Sequence, residues 1–110
     1  MSPAVFRRIA LGLAGAIEGA HMAHPDFRVG KRIFASLHSK DQFGMVKLTP
    51  NQQKDFIEAH PEMFVPESGA WGRSGCTRVL LKAAREDAVG EALTLAWQNL
   101  VRKPQKKKCR

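Results

Sequence analysis

Apolar and polar positions change period along the chain, and the changes mark out its elements. Near the start, Phe6, Ile9, Ala10 and Leu13 recur at three- and four-residue spacing, the period of one helix face. Ser2 followed by Pro3 supplies an N-cap and a proline at the first helical position, so the pattern predicts a helix from Pro3 that fades between Gly12 and Gly15. The period then shortens. Phe27 to Val29 and Ile33 to Leu37 read as the arms of a hairpin opened by Pro25 and Asp26, with Gly30 in the turn because it reaches positive φ without steric cost. Two registers compete. A three-residue loop from Gly30 to Arg32 gathers Phe27, Val29, Ile33, Ala35 and Leu37 on one face, whereas a two-residue loop pairs Phe27 with Phe34 and splits the apolar set. A slip of one residue turns over every side chain of a strand, so the first register is expected. In both, Arg28, Lys31 and Arg32 cluster at the tip or on the outer face.

A third strand follows from about Phe43 to Leu48. Thr49-Pro50 with Gln52 then forms a capping-box entry to a second helix, which buries Phe56 and stops before Pro61. Met63 to Val65 reads as a short fourth strand, residues 67–75 as a turn-rich loop, and Cys76 to Lys82 as a fifth strand. The last helix carries Glu86 and Asp87 in its first turn, where acids suit the helix dipole, and a stripe of Val89, Leu93, Ala96, Trp97 and Leu100. Pro104 ends it. The expected fold is therefore α+β, a two-layer sandwich in the order α-β-β-β-α-β-β-α, with helices on one face of an antiparallel sheet of about five strands.

Length and charge refine this picture. A chain of 110 residues is one domain with a single two-layer core. Its net charge of +8 suggests a polyanion partner until the charges are placed. Arg102, Lys103, Lys106, Lys107, Lys108 and Arg110 crowd the last nine residues, leaving 12 bases against 10 acids, a net of +2, over residues 1–101. The reading is a domain over residues 1–101 and a basic tail over 102–110, expected to be disordered because nothing apolar follows Val101. Cys76 and Cys109 form no C-x-x-C pair, which points to a reducing cytoplasm. Arg7 and Arg8 before an apolar run, with Ala14-Gly15-Ala16 after it, imitate a signal peptide. The amphipathic helix is the preferred reading, since cleavage would remove the helix that precedes the sheet. No run of about 20 apolar residues exists, so no membrane span is expected.

Several segments together, HPDFRVGKRIF, KLTPNQQ, WGRSG before a strand, and the final helix with Trp97, resemble the MmcQ/YjbR family of small bacterial proteins over about Phe6 to Val101. The resemblance implies a two-layer fold of the secretion-chaperone-like type, also likened to bacterial frataxin. It also implies the DNA-binding role usually assigned to members, in which projecting loops act as a double wing. The family has no settled biochemical activity. The position after WGRSG is often aromatic in relatives and is Cys76 here, which removes any stacking role from that position.

The candidate chemistry is cationic. Arg28, Lys31 and Arg32 on the hairpin can grip phosphates without reading bases, and Lys47, Arg73, Arg78 and Lys82 extend that surface if their strands lie beside the hairpin. Trp71 and Arg73 on a Gly-rich loop can stack on a base or hold a phosphate; alternatively the loop is a tight turn whose Trp covers the core. No dinucleotide fingerprint or phosphate loop is present. His21, His24 and Asp26 invite a metal reading, but two histidines fall short of a ligand set, so no metal is expected and His24 is assigned to the turn. His38 and His60 read as isolated and partly exposed. Cys76 has no base at motif spacing, no serine sits in a nucleophile elbow and no carboxylates pair, so neither an enzyme nor a cofactor is expected. The expectation is a monomeric, low-specificity DNA-binding module. The alternative is an adaptor that binds a protein or small ligand, which requires an apolar patch on the open face of the sheet. An enzyme acting near Trp71 and Arg73 would require a concave pocket there.

Overall fold

The fold was described from a computed structural model. It describes residues 1–21, 24–38, 40 and 42–101, with His21 described by its backbone. The tail over 102–110, with Pro104 and Cys109, lies outside the described residues. Helix α1 (Pro3–Leu11) leads into strands β1 (Ala16–His21), β2 (His24–Val29), β3 (Arg32–His38) and β4 (Phe43–Lys47). Helix α2 (Pro50–Ala59), strand β5 (Phe64–Pro66), the short helix α3 (Gly69–Arg73), strand β6 (Cys76–Leu80) and helix α4 (Glu86–Val101) complete the order. All pairings are antiparallel, in the spatial order β1-β2-β3-β4-β6-β5. The α+β class holds, with six strands and four helices among the described residues.

The two elements absent from the sequence reading have a common cause. Strand β1, AIEGAH, carries one β-branched residue and a glycine, so its local preference for a strand is weak and pairing with β2 creates it. Helix α3 spans five residues around Gly72 and has the composition of a turn.

Helix ends follow the expected chemistry. The Ser2 side chain accepts from the Val5 amide, and Thr49 and Gln52 close the capping box reciprocally at 3.0 and 3.1 Å. Phe6 and Ala10 of α1 are buried, and α1 lies beside α4, with the Trp97 Nε1 donating to the Ala14 carbonyl at 2.8 Å. The apolar N-terminal run is thus a packed helix. The core gathers Phe6, Phe27, Phe34, Val46, Phe64, Val79, Leu81, Val89 and Leu93 between the helices and one face of the sheet. Burying each such side chain contributes roughly 1.5–3 kcal/mol before entropy is counted.

The hairpin uses both competing registers. Asp26 and Phe27 pair with Ser36 and Ala35, whereas Arg28 and Val29 pair with Ile33 and Arg32. A bulge between Phe27 and Arg28 joins the two registers, with Phe34 as the extra residue. The inner part of the hairpin keeps the three-residue-loop register, and the tip closes through two residues, Gly30 at φ 63° and Lys31. The bulge lets Phe34 and Ala35 both enter the core, which a regular strand forbids.

Candidate functional site

The face of the sheet turned away from the helices is crossed by polar rows. Cross-strand pairing sets Gly19, Asp26, Ser36, Met45, Arg78 and Val65 side by side. Asp26 and Ser36 are fully buried in this row although no helix covers them. Arg28 covers Asp26. Its Nε and Nη2 donate to the two Asp26 carboxylate oxygens at 2.7 and 2.8 Å, and this bond holds the guanidinium above its already high ordinary pKa. The guanidinium lies over Gly19 of β1, where a Cβ would stand 2.8 Å from Arg28 Cζ.

Arg78 is engaged as well. It is hydrogen-bonded to Glu67 and lies 4.4 Å over the Phe43 ring. The other face of Phe43 carries His38, stacked at 4.6 Å and 13°. Strand β4 lies between β3 and β6, so the two partners cover opposite faces of the ring. Phe43 therefore has no free face for a base. His38 in turn meets His24, with ring centroids 4.3 Å apart, and shares a hydrogen bond of 3.1 Å with the Ser36 hydroxyl. The sequence reading treated His38 as isolated, because its neighbours come from strands that are remote in the chain.

Of the other candidate bases, Lys31, Arg32, Lys47 and Arg73 lie at one end of the sheet, whereas Lys82 follows β6 at the opposite end. Strand β2 runs up to the hairpin tip, β4 ends at Lys47, and Lys47 pairs with Cys76 at the start of β6. Arg73 on α3 lies three residues before Cys76. The Asn99 Nδ2 donates to the Lys47 carbonyl, so the C-terminal part of α4 reaches the same end. Lys31, Arg32 and Arg73 are exposed there and Lys47 is half-buried. None of the four has an acidic partner within ion-pair distance among the described residues. Arg7, Arg8, Arg28, Arg78 and Arg85 each do. Trp71 stands 66% exposed beside Arg73 and does not cover the core.

Two other expectations can be placed. Cys76 is a buried strand thiol, and its burial pushes its pKa up, against smaller opposing effects of Lys47 and Ser74. A cleft of 270 Å³ lies between α2 and α4, lined by Asp55, Phe56, Ala59, His60, Glu91 and Leu95. Trp71 and Arg73 are not part of it. No described helix is long and apolar enough to cross a membrane.

With this geometry in place, the comparison with known proteins is direct. A family model described as YjbR matches residues 11–99. The chain belongs to the YjbR family. One solved structure, that of the Deinococcus radiodurans protein DR2400 with its DUF419 domain, is similar at a TM-score of 0.79 and 18% identity, covering 96% of this chain and 83% of that one. At that identity the likeness shows the YjbR fold alone. No curated protein matches the chain.

Proposed function

We propose that this YjbR-family protein binds nucleic acid through its phosphates, with little sequence preference, along the sheet end formed by Lys31, Arg32, Lys47 and Arg73. One observation carries the reading: among the described residues these four cations have no acidic partner and share one end of the sheet, whereas five arginines elsewhere are tied to carboxylates. An unpaired cation keeps its full attraction for a phosphate, and its counterions are released when the phosphate arrives. Point charges on the rigid hairpin and strand ends position a backbone without reading bases. Trp71, exposed beside Arg73, supplies a stacking surface for an unpaired base. Arg28 and Arg78 take a different part in this reading. Their carboxylate partners hold them in place, so they shape the outer face and add little attraction for phosphate.

The adaptor alternative is less favoured. The apolar positions of the open face, such as Ile17, Met45, Val65 and Leu80, are separated by the Asp26–Arg28 and Glu67–Arg78 pairs. Fluorescence anisotropy with labelled single- and double-stranded oligonucleotides tests the proposal. Saturable binding at low salt that weakens steeply as salt rises is expected; no binding at low micromolar protein in low salt rejects it.

A further inference from the structure

The cleft between α2 and α4 has a defined register. Gln52 of α2 meets Asn99 of α4, with the Asn99 Nδ2 donating to Gln52 Oε1 at 2.9 Å. Phe56 and Leu95 follow about one turn along each helix, and His60 and Glu91 about one turn after that, so the two helices run antiparallel with these residues on facing sides. The Gln52–Asn99 pair closes one end of the 270 Å³ cleft, and Arg85 Nη2 lies 3.4 Å from His60 Nδ1 at the other. The floor is apolar and fixed. Phe56 is buried and meets the fully buried Phe64 edge-on at 5.2 Å, and Leu95 packs partly buried against the core.

The walls are anionic. Asp55 of α2 and Glu91 of α4 are exposed, and neither has a basic partner within ion-pair distance among the described residues. Glu18, Asp26, Glu67 and Glu86 are each tied to an arginine. Arg85 at the cleft end is offset by Glu62 and Asp87 at 3.8 and 3.7 Å, and Lys54 on α2 does not line the cleft.

We propose that this cleft binds a small primary amine, its apolar body on Phe56, Ala59 and Leu95 and its ammonium between the carboxylates of Asp55 and Glu91. The occupant follows from floor and walls together. An ammonium carries three N–H donors and no acceptor, and its hydrogen bonds to carboxylates are roughly twice as strong as neutral ones. At the mouth it keeps water on its outer side, so it avoids the full cost of desolvation. A ring or short chain on the floor covers apolar surface that the helices leave open. The volume lies just below the about 300 Å³ at which drug-sized pockets begin, which suits one ring and a short chain. No group of three or more metal-ligating side chains comes together among the described residues, and two carboxylates on separate walls suit an organic cation better than a bare divalent ion. The charge of the cleft is opposite to that of the proposed phosphate-binding end, so the two sites select different ligands.

The test follows amide NMR shifts of the isotope-labelled full-length chain during titration with phenethylamine at neutral pH. Saturable shifts confined to the cleft segments of α2 and α4 are expected, with a Kd at or below about 1 mM. Phenethyl alcohol, the neutral analogue, is expected to bind at least about tenfold more weakly. Asp55→Asn and Glu91→Gln replace exposed side chains with isosteres, and each is expected to weaken the amine about three- to tenfold. Glu58→Gln, on α2 outside the cleft, leaves binding unchanged. Three results overturn the site: no saturable shift up to about 10 mM amine, equal binding of amine and alcohol, or a loss from Glu58→Gln as large as that from Asp55→Asn. The last would assign the attraction to diffuse charge.

Discussion

The Arg28 guanidinium lies flat against Gly19 of the neighbouring strand, at a place where any Cβ would intrude to 2.8 Å. From there it reaches both oxygens of the fully buried Asp26. The glycine, the arginine and the aspartate form one unit, because each makes room for, covers or anchors another. Gly19→Ala is therefore expected to displace Arg28 and to lower the Tm by about 4–8 °C. In an Arg28→Ala background the same substitution costs little, since the clash is gone. Thermal melts of the two single variants and the double give a mutant cycle; simple additivity would show that Gly19 and Arg28 act independently.

The capping box at α2 provides a local test of how the helix is held. Thr49→Ala removes the acceptor for the Gln52 amide and leaves the reciprocal bond from Gln52 without its partner geometry. A loss of about 1 kcal/mol in urea denaturation is expected, with the slope on denaturant unchanged.

Much of the fold was legible because local and tertiary preferences agree. Ser2-Pro3, Thr49-Pro50 with Gln52, and the stripe through Val89, Leu93 and Ala96 announce helices that the structure contains. Strand β1 escaped because its sequence has little strand preference and a glycine whose purpose, room for Arg28, is visible only across the sheet. The hairpin register could not be chosen by periodicity, since the bulge at Phe27/Arg28 uses one register on each side. The candidate bases were found by residue type, but type alone could not divide them. Pairing with Asp26 and Glu67 sets Arg28 and Arg78 apart from Lys31, Arg32, Lys47 and Arg73, and those partners depend on strand order. His38 was missed as a neighbour of His24 for the same reason.

Burial of Cys76 has a consequence at alkaline pH. Its thiol is pushed above its ordinary value by desolvation, so the unfolded chain gives up this proton first. The stability held at this site is complete below the unfolded thiol's pKa of about 8.5 and is lost as the pH rises through the higher folded value. Urea midpoints of the Cys109→Ser chain are expected to fall between about pH 8 and about pH 10 more steeply than those of the same chain with Cys76→Ala. Equal slopes would mean that Cys76 titrates as an open thiol.

On the proposed reading, Lys31, Arg32, Lys47 and Arg73 at the sheet end bind phosphates, beyond whatever the Lys/Arg tail contributes. The most direct measurement is the salt dependence of oligonucleotide binding for the full chain and for Lys31→Gln/Arg32→Gln/Lys47→Gln/Arg73→Gln, followed by anisotropy. Each phosphate contact contributes about 0.9 to the slope of log K against log salt on duplex, so removing four contacts is expected to reduce the slope by about 3–4 and to weaken binding at low salt. An unchanged slope and affinity in the folded quadruple variant would contradict the account and assign any binding to residues 102–110.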